Sequence, residues 1–413
     1  MMLNAYRVLD LTNERGFICG KILAELGADV IKIEQPGGDA ARRYGPFWKD
    51  QADPEKSLSW FTQNIGKRGI TLDLGSSEGR AIYRQLVKTA DIIVESYPPR
   101  YLESLGLGYA ACFRDNPGII LTSITAHGGE GPWKDYKAYD LQAQATSGTV
   151  YICGYPEEAP QSWGGQQAYY QAGLQAAVGI MLALWQREIT GEGQFLSVSI
   201  REAMTVLTTN EAPIANWIEA QKIKQRWGSS QEDLSGGLLR WFYPCKDGYI
   251  IWRLAVGMMG HQTNALVAWM QKEGMSADLE KEVTDWKAIG LNTVEQPQIS
   301  HWEEIFARFF ITKTKAELFQ EALKRSIVLF PMSTFGEVLE NEQLRSRNYW
   351  VELRHPELGT TLQYPGAIFK SSVVPPTLLR RAPLIGEHNE EIYLKELGYS
   401  GEQLRRWMEI KVI

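Results

Sequence analysis

Cysteine and histidine are scarce in this chain, whose 413 residues include only four cysteines and five histidines. Cys19, Cys112, Cys153 and Cys245 are widely separated and form no Cys-x-x-Cys pair or other metal-ligand spacing. Because isolated thiols of this kind are typically buried and reduced in cytosolic proteins, we expect neither a disulfide framework nor a metal site.

The chain also lacks a long hydrophobic run and an excess of positive charge. Its longest apolar stretch, near Ala176 to Leu184, is far too short to cross a bilayer. The N-terminal sequence MMLNAYRVLDL has no signal-peptide pattern. A formal net charge of −6 argues against nucleic acid or a membrane surface as a partner. We therefore expect a cytoplasmic protein.

What the sequence does contain is an alternation of short apolar strands and helices. Strands are predicted at 6–11, 28–34, 69–74, 91–96, 118–125 and 195–200, and helices at 17–26, 77–89, 101–105 and 172–185. This order predicts an α/β doubly wound domain with a parallel sheet and right-handed crossovers. No Gly-x-Gly-x-x-Gly accompanies these strands, so a nicotinamide or flavin cofactor has no support.

The character of the sequence changes near residue 220, where a polar stretch contains the basic cluster Lys222, Lys224 and Arg226. We predict a large Rossmann-like domain beginning with residues 1–219 and a linker at 220–235. A smaller α+β domain is predicted at 236–330, followed by a return linker and the C-terminal part of the large domain at 331–413.

The segment from Gln166 to Glu202 carries the most specific pattern. An apolar helix leads through Thr190-Gly191-Glu192-Gly193 into an alternating strand. This segment resembles the central segment of the family III CoA-transferases, whose pattern is matched by Gly173, Gly179, Arg187, Thr190, Gly191, Gly193 and Gln194. Further resembling blocks follow the family order, among them LDLT at 9–12, LGADVIKIEQPGGD at 26–39, VESYPP at 94–99, KAYDLQAQATSG at 137–148 and APLIGEHNEEIYLKELGYS at 382–400.

The resemblance implies an interlocked dimer. In this family each chain has a Rossmann-like large domain made from both termini and a smaller domain between them, and each chain threads through the other. The family moves coenzyme A from an acyl-CoA to a carboxylic acid, so CoA would be a substrate and no covalently bound cofactor is expected.

The nucleophile of the family is missing from this chain. Family members attack the thioester with an Asp four residues before the first glycine of the pattern, and that position is Tyr169 here. A carboxylate forms a mixed anhydride that a thiolate reopens, whereas a phenol with a pKa of about 10 is a poor nucleophile near neutral pH. We therefore expect no catalytic residue in this chain.

The hypothesis that this chain belongs to the racemase branch of the family fails on the same grounds. It uses the same Asp opposite a His, and the His position is Tyr139 here. Two further positions diverge from the family. The family's Asn-Phe pair is Ser96-Tyr97, and the loop after LDLT, Asn13-Glu14-Arg15-Gly16, is one residue shorter than usual.

The resemblance implies five CoA-binding candidates. Lys137 matches a lysine that approaches CoA, Leu72 and Tyr97 match adenine-side positions, and Gly236 with Gly237 resembles a glycine loop that closes over the active-site carboxylate. Each has a plain structural alternative. Lys137 would be a solvated lysine at a helix start, Leu72 and Tyr97 core residues of adjacent strands, and the glycines a hinge turn.

We infer that the chain is the nucleophile-lacking subunit of a heteromeric family member, with a homologous Asp-bearing subunit as partner. Such a complex would move CoA from an acyl-CoA such as succinyl-CoA to a carboxylic acid, with benzylsuccinate, an intermediate of anaerobic toluene degradation, as the suggested acceptor. Two alternatives stay open. One is a homodimeric hydrolase, lyase or dehydratase of CoA esters that uses Asp140, Glu14 or His127, where His127 is more simply explained as a satisfied surface histidine. The other is an acyl-CoA-binding scaffold without activity.

Overall fold

The structure of the protein is a computed structural model. Within the described part of the chain, six parallel strands form a central sheet. The structure describes residues 2–209, 217–219, 221, 223–232, 237–367, 369–373 and 380–413. The strands are β1 (Arg7–Leu11), β2 (Asp29–Glu34), β3 (Arg68–Thr71), β4 (Ile92–Glu95), β5 (Ile120–Thr125) and β6 (Phe195–Ser199). Their order in the sheet is β3-β2-β1-β4-β5-β6, which confirms the predicted parallel α/β fold.

The helices of this part of the chain connect the strands and cover the sheet. They are α1 (Phe17–Glu25), α2 (Leu58–Gln63), α3 (Ser77–Lys88), α4 (Tyr101–Ser104), α5 (Tyr109–Asp115), α6 (Asp140–Thr146), α7 (Gln167–Thr190) and α8 (Ile200–Thr209). The central helix α7 packs against α1, α6, α8 and strands β5 and β6. No described helix, α7 included, has the length and apolarity that a membrane span requires.

Alternate strand residues fill two cores on opposite faces of the sheet, because side chains along a strand alternate between its faces. One row consists of Val8, Val30 and Ile92, and the next, on the opposite face, consists of Leu9, Ile31 and Ile93. The first row belongs to a core shared with α1, α7 and α8, and the second to a core shared with α3 and the C-terminal residues. The strands are apolar on both faces because both faces are covered.

The C-terminal segment completes the edge of the sheet at β3. The imidazole Nδ1 of His388 accepts a hydrogen bond from the Gly69 amide at 3.1 Å, and the Asn389 Oδ1 accepts one from the Thr71 amide at 2.9 Å. The Tyr393 hydroxyl donates to the Thr71 carbonyl at 2.7 Å. Both ends of the chain therefore belong to the same unit.

The smaller unit contains a helical layer and short antiparallel strands. Its elements are β7 (Ser230–Glu232), β8 (Leu238–Arg240), β9 (Phe242–Cys245), β10 (Gly248–Trp252), α9 (Gly260–Lys272), α10 (Leu279–Glu282), α11 (Gln296–Phe310), α12 (Lys315–Lys324), β11 (Leu329–Pro331) and α13 (Phe335–Glu340). Strands β11, β10 and β9 form one sheet and β7 pairs with β8. An aromatic core of Trp252, Trp286, Trp302, Phe306 and Phe310 holds this unit together.

Beyond the smaller unit, the chain forms α14 (Glu342–Ser346), the hairpin β12 (Trp350–His355) and β13 (Thr360–Pro365), a π-helix (Glu390–Glu396) and α15 (Gly401–Glu409). The larger unit comprises described residues within 1–150, 162–222 and 343–413, and the smaller unit those within 151–161 and 223–342. The predicted division into domain segments stays a prediction. It has domain segments at 1–219, 236–330 and 331–413 and a linker at 220–235.

Several elements differ from the sequence-based expectation, and three of them show the physical reason. The helix predicted at 172–185 extends over Gln167–Thr190. Its first turn contains polar and aromatic residues, and these hide the apolar periodicity on which the prediction depends. Helix α2 is too short to show a helical periodicity of apolar residues in the sequence. Helix α12 begins with a capping box in which Thr314 and Glu317 bond each other's backbone amides, a signal that was present in the sequence.

A buried ion pair joins β2 to the loop that follows it. The Arg42 guanidinium donates to both carboxylate oxygens of Glu34 at 2.6 and 2.8 Å, and also to the Pro383 carbonyl at 2.9 Å. It stacks on Trp60, with its central carbon 3.9 Å from the ring centroid. Both charged side chains are almost fully buried.

We expect Arg42→Ala to lower the free energy of unfolding by about 3–5 kcal/mol, because it leaves the Glu34 carboxylate buried without its partner. Urea denaturation followed by tryptophan fluorescence measures this loss. Arg406→Ala is the matched control, since Arg406 forms an exposed pair with Glu78 at 3.9 Å and exposed pairs contribute only about 0–1 kcal/mol. Equal losses for the two variants would contradict the assignment.

Candidate active site

The chain reverses its winding direction between β1 and β4, so a crevice forms outside the carboxyl ends of these strands. The loop after β1 and the loop after β4 meet there. The Asn13 amide donates to the Ser96 hydroxyl at 2.8 Å, and that hydroxyl donates to the Asn13 Oδ1 at 2.9 Å. The loop after β1 and Ser96, two of the places where the sequence diverges from the family pattern, are therefore in contact.

A buried charge cluster supports the loop after β1 from below. The Asp10 carboxylate accepts hydrogen bonds from the amide and hydroxyl of Thr12 and from the Lys67 ammonium at 2.7 Å. The Lys32 ammonium donates to the Thr12 carbonyl. Burial opposes ionisation of Asp10, but Lys67 and Lys32 outweigh it and hold the pKa of the carboxyl below its usual value. The cluster thus fixes the loop as a charged network.

Tyr169 lies in the first turn of α7 and is only 3% exposed. Burial raises the pKa of its phenol, and this effect exceeds the opposing influence of the neighbouring Arg15 guanidinium. The phenol therefore keeps its proton at neutral pH. A protonated, buried phenol is a poor nucleophile for a thioester.

The carboxylate of Asp140 contacts this turn and is already engaged in hydrogen bonds. The Asp140 Oδ1 accepts a hydrogen bond from the Tyr169 amide at 3.0 Å, and its Oδ2 accepts one from the Gln144 side chain at 2.5 Å. Asp140 thus binds the N-terminus of α7, where a negative charge is favoured. It holds the helix in place rather than facing a substrate as a second nucleophile.

A cavity of about 300 Å³, here called the α7 cavity, opens beside the first turn of α7. Its walls combine aromatic and polar residues; the aromatic ones are Phe17, Tyr44, Trp60 and Tyr170, and the polar ones are Glu14, Ser59, Gln63 and Gln166. Among the described residues the buried Gln63 Oε1 has no hydrogen-bond partner. The cavity therefore offers aromatic surface with an unused acceptor.

A second cavity of about 540 Å³, here called the edge cavity, is lined by alternate residues of β5 and β6 and by the last residue of β4. Its walls include Glu95, Ser123, His127 and Ser197. The Glu95 Oε2 accepts a hydrogen bond from the Tyr97 amide at 2.6 Å. Burial raises the pKa of the Glu95 carboxyl to about 7, against the lowering effect of its hydrogen bonds to Ser123 and Tyr97.

His127 is not the satisfied surface histidine that the sequence favours. Its ring is half-buried, it packs edge-on against Trp133 at 5.5 Å, and its Nδ1 has no hydrogen-bond partner among the described residues. Burial lowers the pKa of the imidazole, and the Arg201 charge lowers it further. The ring is therefore neutral at neutral pH and has an unused nitrogen.

Three of the predicted CoA-binding residues, Leu72, Tyr97 and Lys137, lie in the larger unit. Leu72 is 2% exposed within the core next to α3, Tyr97 is half-buried and Lys137 is exposed before α6. The expectation that Leu72 and Tyr97 follow adjacent strands is wrong, because β2 and β1 lie between β3 and β4. Those three strand intervals correspond to about 14 Å. Gly237 belongs to the smaller unit, near Ile299, and Gly236 lies outside the described residues.

The structure identifies Arg15 and Glu95 as site residues that the sequence did not single out. The position of Arg15, in the loop directly after a buried strand at the switch point, is a signal that the sequence contains. The pKa of Glu95 depends on its burial, which no local sequence pattern indicates. None of the four cysteines forms a disulfide. The described residues also contain no group of three or more His, Cys, Asp or Glu side chains placed to hold a metal ion.

Comparison with known proteins gives consistent matches along the chain. The sequence pattern of the family described as CoA-transferase family III matches residues 3–389. The chain is 36% identical to the succinyl-CoA:(R)-benzylsuccinate CoA-transferase subunit BbsE of Thauera aromatica, covering 95% of this chain and 94% of that protein. It is 28% identical to the succinyl-CoA–L-malate CoA-transferase beta subunit of Chloroflexus aurantiacus, covering 96% and 94%.

Two further matches cover similar shares of the chain. The chain is 31% identical to a formyl-CoA:oxalate CoA-transferase of Rhodopseudomonas palustris, covering 97% of this chain and 95% of that protein. Among solved structures, a CAIB/BAIF family protein from Brucella suis is 25% identical, with a TM-score of 0.81 over 95% of this chain and 98% of that one.

The raised pKa of Glu95 predicts a pH-dependent loss of stability. The folded protein keeps the Glu95 proton up to about pH 7, whereas the unfolded chain releases it near the ordinary value of 4.5. The contribution of the protonated Glu95 carboxyl to the free energy of unfolding is therefore fully present below about pH 4.5. It falls as the pH rises towards 7. At about 1.4 kcal/mol per pKa unit, the difference amounts to about 3 kcal/mol.

Denaturation of wild-type protein and Glu95→Gln between pH 4.5 and 8 measures this effect. The stability of the wild type should fall relative to that of the variant as the pH rises. Glu130→Gln removes an exposed carboxyl from the same cavity wall and should retain the wild-type dependence. A wild-type curve that stays parallel to that of Glu95→Gln would contradict the assignment.

Proposed function

The chain belongs to CoA-transferase family III, and within this family we propose that it is a nucleophile-lacking subunit of a heteromeric CoA-transferase. The single observation that carries the proposal is Tyr169, which occupies the position of the family's nucleophilic Asp in the first turn of α7. Its phenol is buried and protonated, and Asp140 beside it is bound to the helix backbone.

The proposed division of labour follows from the chemistry of the family. A carboxylate attacks the acyl-CoA carbonyl, the carbon–sulfur bond breaks, and the thiolate of CoA leaves a mixed anhydride behind. The thiolate then attacks the enzyme carbonyl of that anhydride, which releases the donor acid and leaves CoA as a thioester on the enzyme. A homologous partner with an Asp at this position would perform these steps, whereas this chain would complete the fold of the complex.

The names of two relatives support a subunit role. The Thauera and Chloroflexus proteins are each named as subunits of CoA-transferases that use succinyl-CoA. We propose succinyl-CoA as the donor and benzylsuccinate, which belongs to anaerobic toluene degradation, as the acceptor. We also propose an interlocked heterodimer of similar chains in the cytoplasm.

The CoA contacts of this chain are a separate part of the proposal. Lys137 is exposed and carries a cation suited to a phosphate, and Tyr97 lies beside the switch point. We propose these two as the principal contacts and Leu72, Gly236 and Gly237 as secondary ones. The burial of Leu72 means that it would shape the site from the core rather than touch CoA directly.

One observation favours a second candidate function. Glu95, with a pKa of about 7, and His127, with an unused nitrogen, line the same cavity. A carboxyl that titrates near neutral pH is suited to general acid–base chemistry. A homodimeric CoA-ester hydrolase, lyase or dehydratase would use these groups, and activity of the isolated chain would support it.

The test compares this chain alone, an Asp-bearing homologue alone and the two co-expressed. We expect native mass spectrometry to find a particle of two unlike chains, and transfer from succinyl-CoA only when both are present. A homodimer of this chain that turns over acyl-CoA would favour the second candidate, and a homodimer that binds CoA without turnover would make it a scaffold.

Restoring the carboxylate tests how far the site has diverged. We expect Tyr169→Asp in the isolated chain to remain at least about a hundredfold less active than the two-chain complex, because a misplaced nucleophile loses that much and the Asn13–Ser96 contact has reshaped the crevice. Tyr170→Asp, one position away, is the matched control. Activity of Tyr169→Asp equal to that of the complex would refute this expectation.

A further inference from the structure

Helix α7 is apolar on two opposite faces. Its inner face carries small residues that let it approach α1 and the sheet closely; these are Ala168, Ala172, Gly173, Ala176, Ala177 and Ala183, all buried. At Gly173 even a methyl group would come within 3.0–3.1 Å of Ile18 and the Cys19 amide nitrogen. The inner face is therefore fully used within this chain.

The outer face carries large apolar residues at helical spacing. Leu174, Val178, Met181, Leu182, Trp185 and Ile189 are 39–66% exposed, and they recur at intervals of three and four positions, which places them along one side of the helix. We call this set the outer stripe. No charged residue lies within it, and the polar Gln175, Gln186 and Glu188 flank it.

A helix that carries large apolar side chains on a face other than its core-facing one normally buries that face as well. Six large side chains, each about half exposed, present on the order of 600 Å² of apolar surface, which is at the upper limit for a patch on a monomeric protein. A standard interface buries about 800 Å² on each partner. The outer stripe therefore supplies most of the surface that one stable protein contact needs.

The charges around the stripe argue against a membrane as its occupant. Interfacial membrane helices carry Lys and Arg on their polar face, whereas the only basic residue of α7 is Arg187. Its guanidinium points inward, donating to the Gly118 carbonyl at 3.0 Å and to Asp91 at 3.2 Å. The exposed charge beside the stripe is the acidic Glu188.

We propose that the outer stripe of α7 is the docking surface for the equivalent helix of the homologous partner subunit. The identity of the partner rests on the proposed function. Two homologous chains that pair about a pseudo-two-fold axis present the same surface patch to each other, so an apolar helix face in one meets its counterpart in the other. Large side chains on both faces then interdigitate as in other helix pairs.

This arrangement gives the missing nucleophile a structural context. Tyr169 lies in the first turn of the helix whose later turns carry the stripe. In the complex, α7 would connect the crevice of this chain to the Asp-bearing helix of the partner. The rigid inner packing of α7 against α1 and the sheet would then position the partner's helix.

The test uses this chain co-expressed with its Asp-bearing partner, and native mass spectrometry and sedimentation measure assembly. Trp185→Ala should raise the dissociation constant by about 30-fold or more, because buried tryptophans are typical hot spots, and Leu182→Glu should abolish the complex. Gln186→Glu is the matched control, since it adds the same charge beside the stripe, and it should assemble as the wild type does. Circular dichroism checks that each variant is folded.

A second measurement does not depend on the folding of a disruptive variant. The thiol of Val178→Cys should react with a maleimide in the isolated chain and be protected in the complex, with unmodified protein giving the background from the native cysteines. Equal labelling in both states would overturn the proposal.

The outcomes separate this inference from the proposed function. If the wild type assembles with the partner but the stripe variants assemble equally well, the docking surface is refuted and the proposed function stands. If the wild type forms only a homodimer, whether or not the stripe variants dissociate it, the commitment to a homologous partner is overturned together with the proposed function.

Discussion

The hydrogen bond from the Tyr169 amide to the Asp140 carboxylate, 3.0 Å long, fixes the first turn of α7. This contact places a buried phenol where the family has its reactive carboxylate, and it occupies the acid that could have compensated. Because burial raises the pKa of the phenol, the phenol keeps its proton at neutral pH and is a poor nucleophile for a thioester. Under the proposed function, this chain keeps the helix while the partner supplies the reactive carboxylate.

The two loops that border the crevice at the switch point are bonded to each other. Asn13 and Ser96 bond each other across the loops after β1 and β4, and the buried Asp10–Lys67 pair holds the first of these loops rigidly. A single substitution at Tyr169 therefore leaves a crevice whose loops are shaped by other contacts. This is the physical reason to assign the chain a structural role rather than that of an enzyme with one altered residue.

The sequence predicted the sheet and its connections because parallel strands buried on both faces are short, continuous apolar runs. The glycines of α7 form a specific pattern from which the sequence predicts that Tyr169 replaces the nucleophile, and this stays a prediction. The sequence misplaced Leu72 relative to Tyr97, since strand order in a sheet is set by crossover connections and not by proximity along the chain. The unused nitrogen of His127 and the pKa of Glu95 arise from burial by distant segments, which no local pattern reports.

The central claim is that this chain carries no covalent intermediate. The most direct test is denaturing mass spectrometry of both chains of the complex after incubation with succinyl-CoA. Our account predicts an added mass on the Asp-bearing partner alone, with the peptide of α7 from this chain unmodified. A covalent adduct on Tyr169, or on any other residue of this chain, that forms at the rate of turnover would contradict it.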